Sequence, residues 1–283
     1  MNSFKTTIDI CNENLKKWSS NYRIWVLFIL ITIFIFDYTN EIMKFAYSVE
    51  YKVSPWMFPF LFTQKYMIRI IFMGVILLFC DAPFIDETQP YIIIRSGRKL
   101  WNMGQICYIF FSSLIYFLFL ILISIILNLR YMELTSEWGK ILGTLGSGNL
   151  LDGISYKVSI SGKIVTFFNP ITAMILTFVL AILVSVFIGL LIYLVNSFSN
   201  TQFLGTLIGI FIVLLDTLAK YNINLLWVSP VSWVNLSNID IDRTSKLPTL
   251  PYIFSILTVL ISMIIILIVC CNKKKSIEVR PSI

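Results

Sequence analysis

The sequence predicts an all-α, polytopic membrane protein with six transmembrane helices, both termini in the cytoplasm, and an in-plane amphipathic helix at the N-terminus. Three observations carry this. Of 283 residues, 58% are hydrophobic and only 13% are charged, whereas a soluble domain carries about 45–50% apolar and about 25% charged residues. Apolar runs near the ~20 residues that a bilayer core of ~30 Å demands recur along the chain. None of these runs alternates apolar and polar residues as barrel strands do, and helices are the other way to satisfy a backbone in lipid.

The spans fall at about 24–43, 60–84, 106–127, 170–196, 203–218 and 252–271. The second is interrupted near its start by Lys65 and Arg69, while the third and fourth carry no charge. Residues 1–22 precede the six-helix domain (23–272), and 273–283 form a basic tail. The first 22 residues are polar, so no cleavable leader is expected there. Within them Phe4, Ile8, Cys11, Leu15 and Trp18 recur at helical spacing, with Lys5, Asp9, Glu13, Lys16 and Lys17 off the stripe. That pattern predicts a helix lying along the inner membrane surface.

Orientation follows from basic residues beside the spans. Lys5, Lys16, Lys17 and Arg23, then Arg95, Arg98 and Lys99, then Lys273, Lys274, Lys275 and Arg280 fall on one side if the helix number is even. The opposite loops hold nearly as many cations spread over more chain, so the Lys273–Lys275 cluster is the best single element. The net charge of +7 suits anionic lipid. No nucleic-acid-binding pattern accompanies it.

The outer loops are unequal. From about 128 to 169, Gly139, Gly143, Gly146, Gly148, Gly153 and Gly162 predict turns and irregular chain, with a possible hairpin arm over Tyr156 to Ile164. From about 220 to 251, Trp227 and Trp233 suit an interfacial belt among Pro230, Pro248 and Pro251. Residues 197–202 allow only a tight turn.

Several chemistries are excluded. The chain has no histidine, which removes His-based zinc sites, His-activated nucleophiles and His proton relays. No catalytic, cofactor-binding or metal-ligating residue is assigned. Cys11, Cys80, Cys107, Cys270 and Cys271 all fall at the cytoplasmic side in this topology, so no disulfide framework is expected. No phosphate-binding loop is present: Gly143 to Asn149 lacks the lysine.

The most informative segment is 85–105, between the second and third spans. Asp86, Glu87 and Thr88 precede Pro90, which favours a helix start. Tyr91, Ile92, Ile93 and Ile94 are too apolar for a free loop and too short to span, and Arg95, Arg98, Lys99 and Trp101 follow. This describes a short helix on the inner surface whose apolar side needs lipid or a partner protein.

Charges inside spans are costly and usually functional. Asp37 lies about 13 residues up its run, roughly 20 Å at about 1.5 Å per residue; Arg69 lies about 11 residues above Cys80, roughly 16 Å. Asp216 sits at a level like that of Asp37. The three therefore form a candidate intramembrane charge network, with Arg69 pairing Asp37 or Asp216. The alternative is that each caps a helix near the outer interface. Asp81, followed by Pro83, is expected to be a solvated carboxylate ending the second helix.

The layout resembles the permease subunit of ABC-2 type transporters, especially small six-span members from Gram-positive bacteria. The in-plane N-terminal helix, the cytoplasmic element after the second span, the re-entrant-like stretch before the sixth and the basic tail carry the resemblance. Arg95-Ser-Gly-Arg-Lys-Leu-Trp101 falls where that family places its coupling helix. The resemblance implies a multi-pass protein of the bacterial plasma membrane. It implies pairing with a second permease copy or paralogue and with cytoplasmic ABC ATPase subunits. ATP-Mg would be bound and hydrolysed by those partners and not by this chain. Tyr91, Ile94, Arg95, Arg98, Lys99 and Trp101 would couple to the ATPase. The expected cargo is an exported amphipathic peptide, antibiotic or lipid-like molecule. The competing reading is a non-transporting accessory, sensor or immunity protein that binds a partner. An intramembrane enzyme is disfavoured by the missing histidines and catalytic motifs.

Overall fold

The computed structural model describes residues 3–84, 89–147, 160–199, 203–219, 221–241 and 246–271. The basic tail, the acidic run Asp86–Thr88 and Tyr156 to Ser159 of the expected hairpin arm lie outside the described residues.

The described residues are helical, with two isolated β-bridges and no strand. The helices are α1 (Ser3–Lys16), α2 (Tyr22–Val49), α3 (Phe58–Leu61), α4 (Lys65–Phe79), α5 (Gln89–Ser96), α6 (Arg98–Ile126), α7 (Gly139–Ser147), α8 (Gly162–Phe167), α9 (Pro170–Phe198), α10 (Phe203–Ala219) and α11 (Leu250–Cys271).

Four of them, α2, α6, α9 and α11, are long and apolar enough to cross a membrane. This is a membrane protein by that criterion. The second expected span is shorter than the sequence suggests, whereas the fifth, expected at 203–218, keeps its length. α4 has 15 residues, about 22 Å at ~1.5 Å per residue, against a bilayer core of ~30 Å. The chain breaks at Gln64, which is extended at ψ 127°, so the first five residues of the expected run belong to α3 and a turn. α10 has 17 residues. The hairpin arm is also corrected, because Gly162–Phe167 is helical.

α9 is apolar around its whole circumference and sits at the centre. Two-thirds of its most apolar stretch (67%) is buried, against 22% for α11. It is ringed by α4, α6, α10 and α11. α2 flanks α4 and α6. A helix polar nowhere must be enclosed or face lipid, and α9 is mostly enclosed by neighbours. The outward flanks of α2, α10 and α11 leave Trp25, Ile29, Phe211, Met263 and Ile266 exposed, a surface that only lipid or another chain can cover.

α1, α5 and the start of α6 gather at one end of the bundle, together with the ends of α4 and α9. The opposite end holds α3, α7, α8 and three 3₁₀ turns at 223–227, 231–234 and 236–238. Its loops are stitched by backbone carbonyls. Ser54 Oγ donates to Trp138 O (2.7 Å), Trp138 Nε1 to Phe168 O (2.8 Å), and Lys163 Nζ to Ser237 O and Ile239 O. Ser229, Val231, Trp233, Val234 and Leu236 are buried, so the 229–236 stretch folds into the bundle, while the 223–227 turn before it has no buried residue.

Candidate functional site

At the α1 end, the run expected to be one in-plane segment is two helices joined at an elbow. Gly97 adopts φ +81°, a conformation disfavoured for any residue with a Cβ. The Gly97 amide closes α5 on Ile93 O (2.8 Å), and its own carbonyl accepts from Trp101 N (3.1 Å) as α6 begins. Of the six residues expected on this element, Tyr91, Ile94 and Arg95 therefore lie on α5, while Arg98, Lys99 and Trp101 form the first turn of α6.

α5 has two faces. Gln89 and Ile93, four residues apart, point inward; the Trp101 indole donates to Gln89 Oε1, and Ile93 packs with Ile10 of α1. Tyr91 is 76% exposed and Ile94 84% exposed, and Arg95 beside them is exposed too. Apolar side chains this bare on an ordered helix are a surface awaiting a partner or lipid.

The elbow is backed by α1. The sequence sets the stripe Phe4, Ile8, Cys11, Leu15 and Trp18 toward the membrane surface. The face buried against protein runs through Thr6, Ile10, Cys11 and Asn14, and Phe4 is 76% exposed. The reason lies on α6. Gly104 presents no side chain, and a Cβ there would stand 2.6 Å from Ile10 Cγ2. One residue on, Gln105 Oε1 accepts from Asn14 Nδ2 at 3.0 Å. α1 thus rotates to seat Ile10 and pair Asn14, and protein covers its inner face. Cys11 sits against Cys107 under this contact, and burial pushes its thiol up to about 12, with Cys107 adding to the rise.

A second polar chain continues inward. Tyr193 Oη donates to Asn102 Oδ1 (2.8 Å), and Asn102 Nδ2 to Ile268 O (3.3 Å), joining α9, α6 and α11. Asn196 Nδ2 donates to Ala82 O (2.7 Å) while its Oδ1 accepts from Gly205 N (2.8 Å). Sequence reasoning missed these groups. Asn102 and Gln105, three apart at the head of an apolar run, were the available signal.

The charges inside the spans separate. Arg69 Nε stands 3.9 Å from Asp216 Oδ2, a charge contact too long for a hydrogen bond. Ser232 Oγ, from the infolded 3₁₀ turn, donates to Asp216 Oδ1 at 2.9 Å. The Ser229 hydroxyl lies 2.8 Å from that of Ser232 and is positioned to donate to it. α4, α10 and the 231–234 turn therefore meet on one carboxylate, whose side chain is 5% exposed. Asp37 stays outside this group. It is exposed on α2 and faces Tyr66 together with Glu41. Among the described residues, no ion pair joins Asp37 to Arg69.

Asp81 is not simply solvated. Arg23 engages it with both terminal nitrogens, Nη1 to Oδ1 at 3.3 Å and Nη2 to Oδ2, which ties the foot of α2 to the turn after α4.

Among the described residues, no group of three or more Cys, Asp or Glu side chains is placed to hold a metal ion. Comparison with protein-family models, with curated proteins and with solved structures finds no match.

Proposed function

We propose that the chain is the permease subunit of an ATP-driven ABC exporter of the bacterial plasma membrane. In this reading it has six spans, its termini are cytoplasmic, and it works as a pair of permease subunits with separate ATPase chains. The cargo is an amphipathic peptide, antibiotic or lipid-like molecule.

The observation that carries the reading is the α5 elbow. One side is anchored by Gln89, Ile93 and Trp101, and the other holds Tyr91, Ile94 and Arg95 out at one end of the bundle. An element that transmits force needs this combination of a rigid root and a bare face. Backing by α1 and continuity with α6 would carry a push on α5 into the core. The short α4 and α10 suit a six-span layout because buried neighbours complete them. α3 is buried ahead of α4, and the 231–234 turn is buried after α10. Non-helical backbone is tolerated at membrane depth where protein encloses it. The Arg69–Asp216–Ser232 cluster would then latch the outer ends of α4 and α10.

The test is co-purification with an ATPase encoded beside the chain, followed by ATPase assay in liposomes. Tyr91 and Ile94 bear no load in the isolated fold. Ile94→Glu, with or without Tyr91→Ala, should therefore leave the chain folded and remove most of the ATPase from the complex. An Ile94→Glu chain that holds its ATPase as well as wild type refutes the coupling role. If no ATPase associates at all, the permease reading fails and the accessory-protein reading takes its place.

A further inference from the structure

Two free thiols meet where α1 crosses α6. The Cys11 side chain contacts that of Cys107, and neither forms a disulfide. The packing around them holds the two helices in register. One turn before Cys107, Gly104 lets the backbones close: a Cβ on it would stand 2.8 Å from Ile10 Cβ and 3.5 Å from Thr7 O. Beside it, Gln105 Oε1 accepts from Asn14 Nδ2 at 3.0 Å. Ile10 and Asn14 bracket Cys11 on α1, so the thiol cannot turn away while these contacts stand. A disulfide needs its two Cβ atoms about 3.5–4.5 Å apart, which between helices demands a crossing this close.

The thiols differ in access. Cys11 is 2% exposed, whereas Cys107 is half-buried. A small oxidant therefore reaches Cys107 first, with Cys11 waiting behind it.

We propose that Cys11 and Cys107 form a reversible redox latch, in which hydrogen peroxide converts the pair to a disulfide that pins α1 to α6. Peroxide transfers one oxygen to the Cys107 sulfur, giving a sulfenic acid and one water. The Cys11 sulfur then attacks the Cys107 sulfur. The S–S bond forms, the S–O bond breaks, and the hydroxyl leaves with the Cys11 proton as a second water. Two electrons pass from the thiols to the peroxide, and a dithiol reductant returns them by exchange. Inside cells, disulfides of this transient kind serve redox sensing. The consequence is mechanical. α1 backs α5 through Ile10 and Ile93, so a pinned α1 stiffens the root of the elbow. The latch requires neither an ATPase nor a cargo.

The test uses the full chain in detergent with Cys80, Cys270 and Cys271 replaced by serine, which leaves the pair itself intact. Hydrogen peroxide is added, and intact-mass and peptide mass spectrometry follow without reduction. The chain should lose two hydrogen atoms, link the Cys11 and Cys107 peptides within one monomer, and regain its mass with dithiothreitol. Hydrogen exchange of the α1 amides should slow about 30-fold on oxidation, the low end of a disulfide's usual effect, and recover on reduction. In Cys11→Ser, Cys107 should instead accumulate a sulfenic acid that dimedone traps. Oxygen added to either sulfur without a link between them overturns the proposal, as do links formed only between separate chains. A link that leaves α1 exchange unchanged overturns the latch. Equal dimedone trapping with and without the Cys11 thiol overturns its part as the attacking group.

Discussion

The contact between α1 and α6 turns on the absence of one atom. A Cβ on residue 104 would lie 2.6 Å from Ile10 Cγ2 and 2.8 Å from Ile10 Cβ. Ile10 Cβ is fixed to the α1 backbone, so no rotamer change relieves the clash and the helix itself must lift. Overpacking of this kind costs about 1–3 kcal/mol. The helix-propensity gain of Gly104→Ala does not offset it, because α6 stays helical whether α1 is docked or lifted. The opening of α1 should therefore become about 5- to 150-fold more frequent. Cys11 reports that opening, since it is 2% exposed beneath α1. With Cys80, Cys107, Cys270 and Cys271 replaced by serine, Cys11 alkylation should quicken by that factor in Gly104→Ala. Ile10→Ala alone will also quicken alkylation, through lost burial. Adding Gly104→Ala to Ile10→Ala should then leave the rate unchanged or slow it, because the new methyl enters the vacated space. An equal acceleration by Gly104→Ala in both backgrounds would refute the proposed origin in Ile10.

Two more predictions concern buried chemistry. Removing one partner of a buried ion pair costs about 3–5 kcal/mol, and the low end applies to Arg69→Met because Arg69 keeps 32% of its side-chain surface exposed. Asp216→Asn should cost less, as it keeps an acceptor oxygen for Ser232, and the double variant should cost less than the sum; detergent-unfolding titrations that find the two variants strictly additive would show that the charges do not interact. The second concerns pH. The Cys11 thiol rises from an ordinary value of 9.0 to about 12, so between these values the unfolded chain has lost a proton that the folded chain retains. Its contribution is therefore neutral below pH 9 and destabilising above, by up to a tenfold change in the folding equilibrium per pH unit. The stability difference between wild type and Cys11→Ser should be flat below pH 9 and should fall steadily above it; a flat difference up to pH 11 would contradict burial of the thiol.

The membrane class and the place of each apolar helix were legible because lipid imposes a length and a composition that tertiary contacts do not change. The fourth run, 170–196, is α9 nearly to the residue. Where helices end was less legible. The sequence near 60–65 reads as one apolar run, yet Gln64 breaks it, since buried protein on both sides supplies what a continuous helix would otherwise have to supply. The segment after Gly97 reads as polar connector, yet α6 begins at Arg98, held there by Trp101 and Asn102, whose partners lie twelve residues away or on another helix.

The sequence by itself determined that Asp37, Arg69 and Asp216 would be expensive in a membrane and worth pairing. Only the tertiary structure decided that Asp216 meets Arg69 while Asp37 faces outward. Depth along a helix follows from counting residues at a fixed rise, but the direction a side chain takes around the axis matters only relative to neighbours. Those neighbours are set by packing. Ser232 reaches Asp216 because its loop folds inward, and Ile10 turns to α6 because residue 104 leaves room for it.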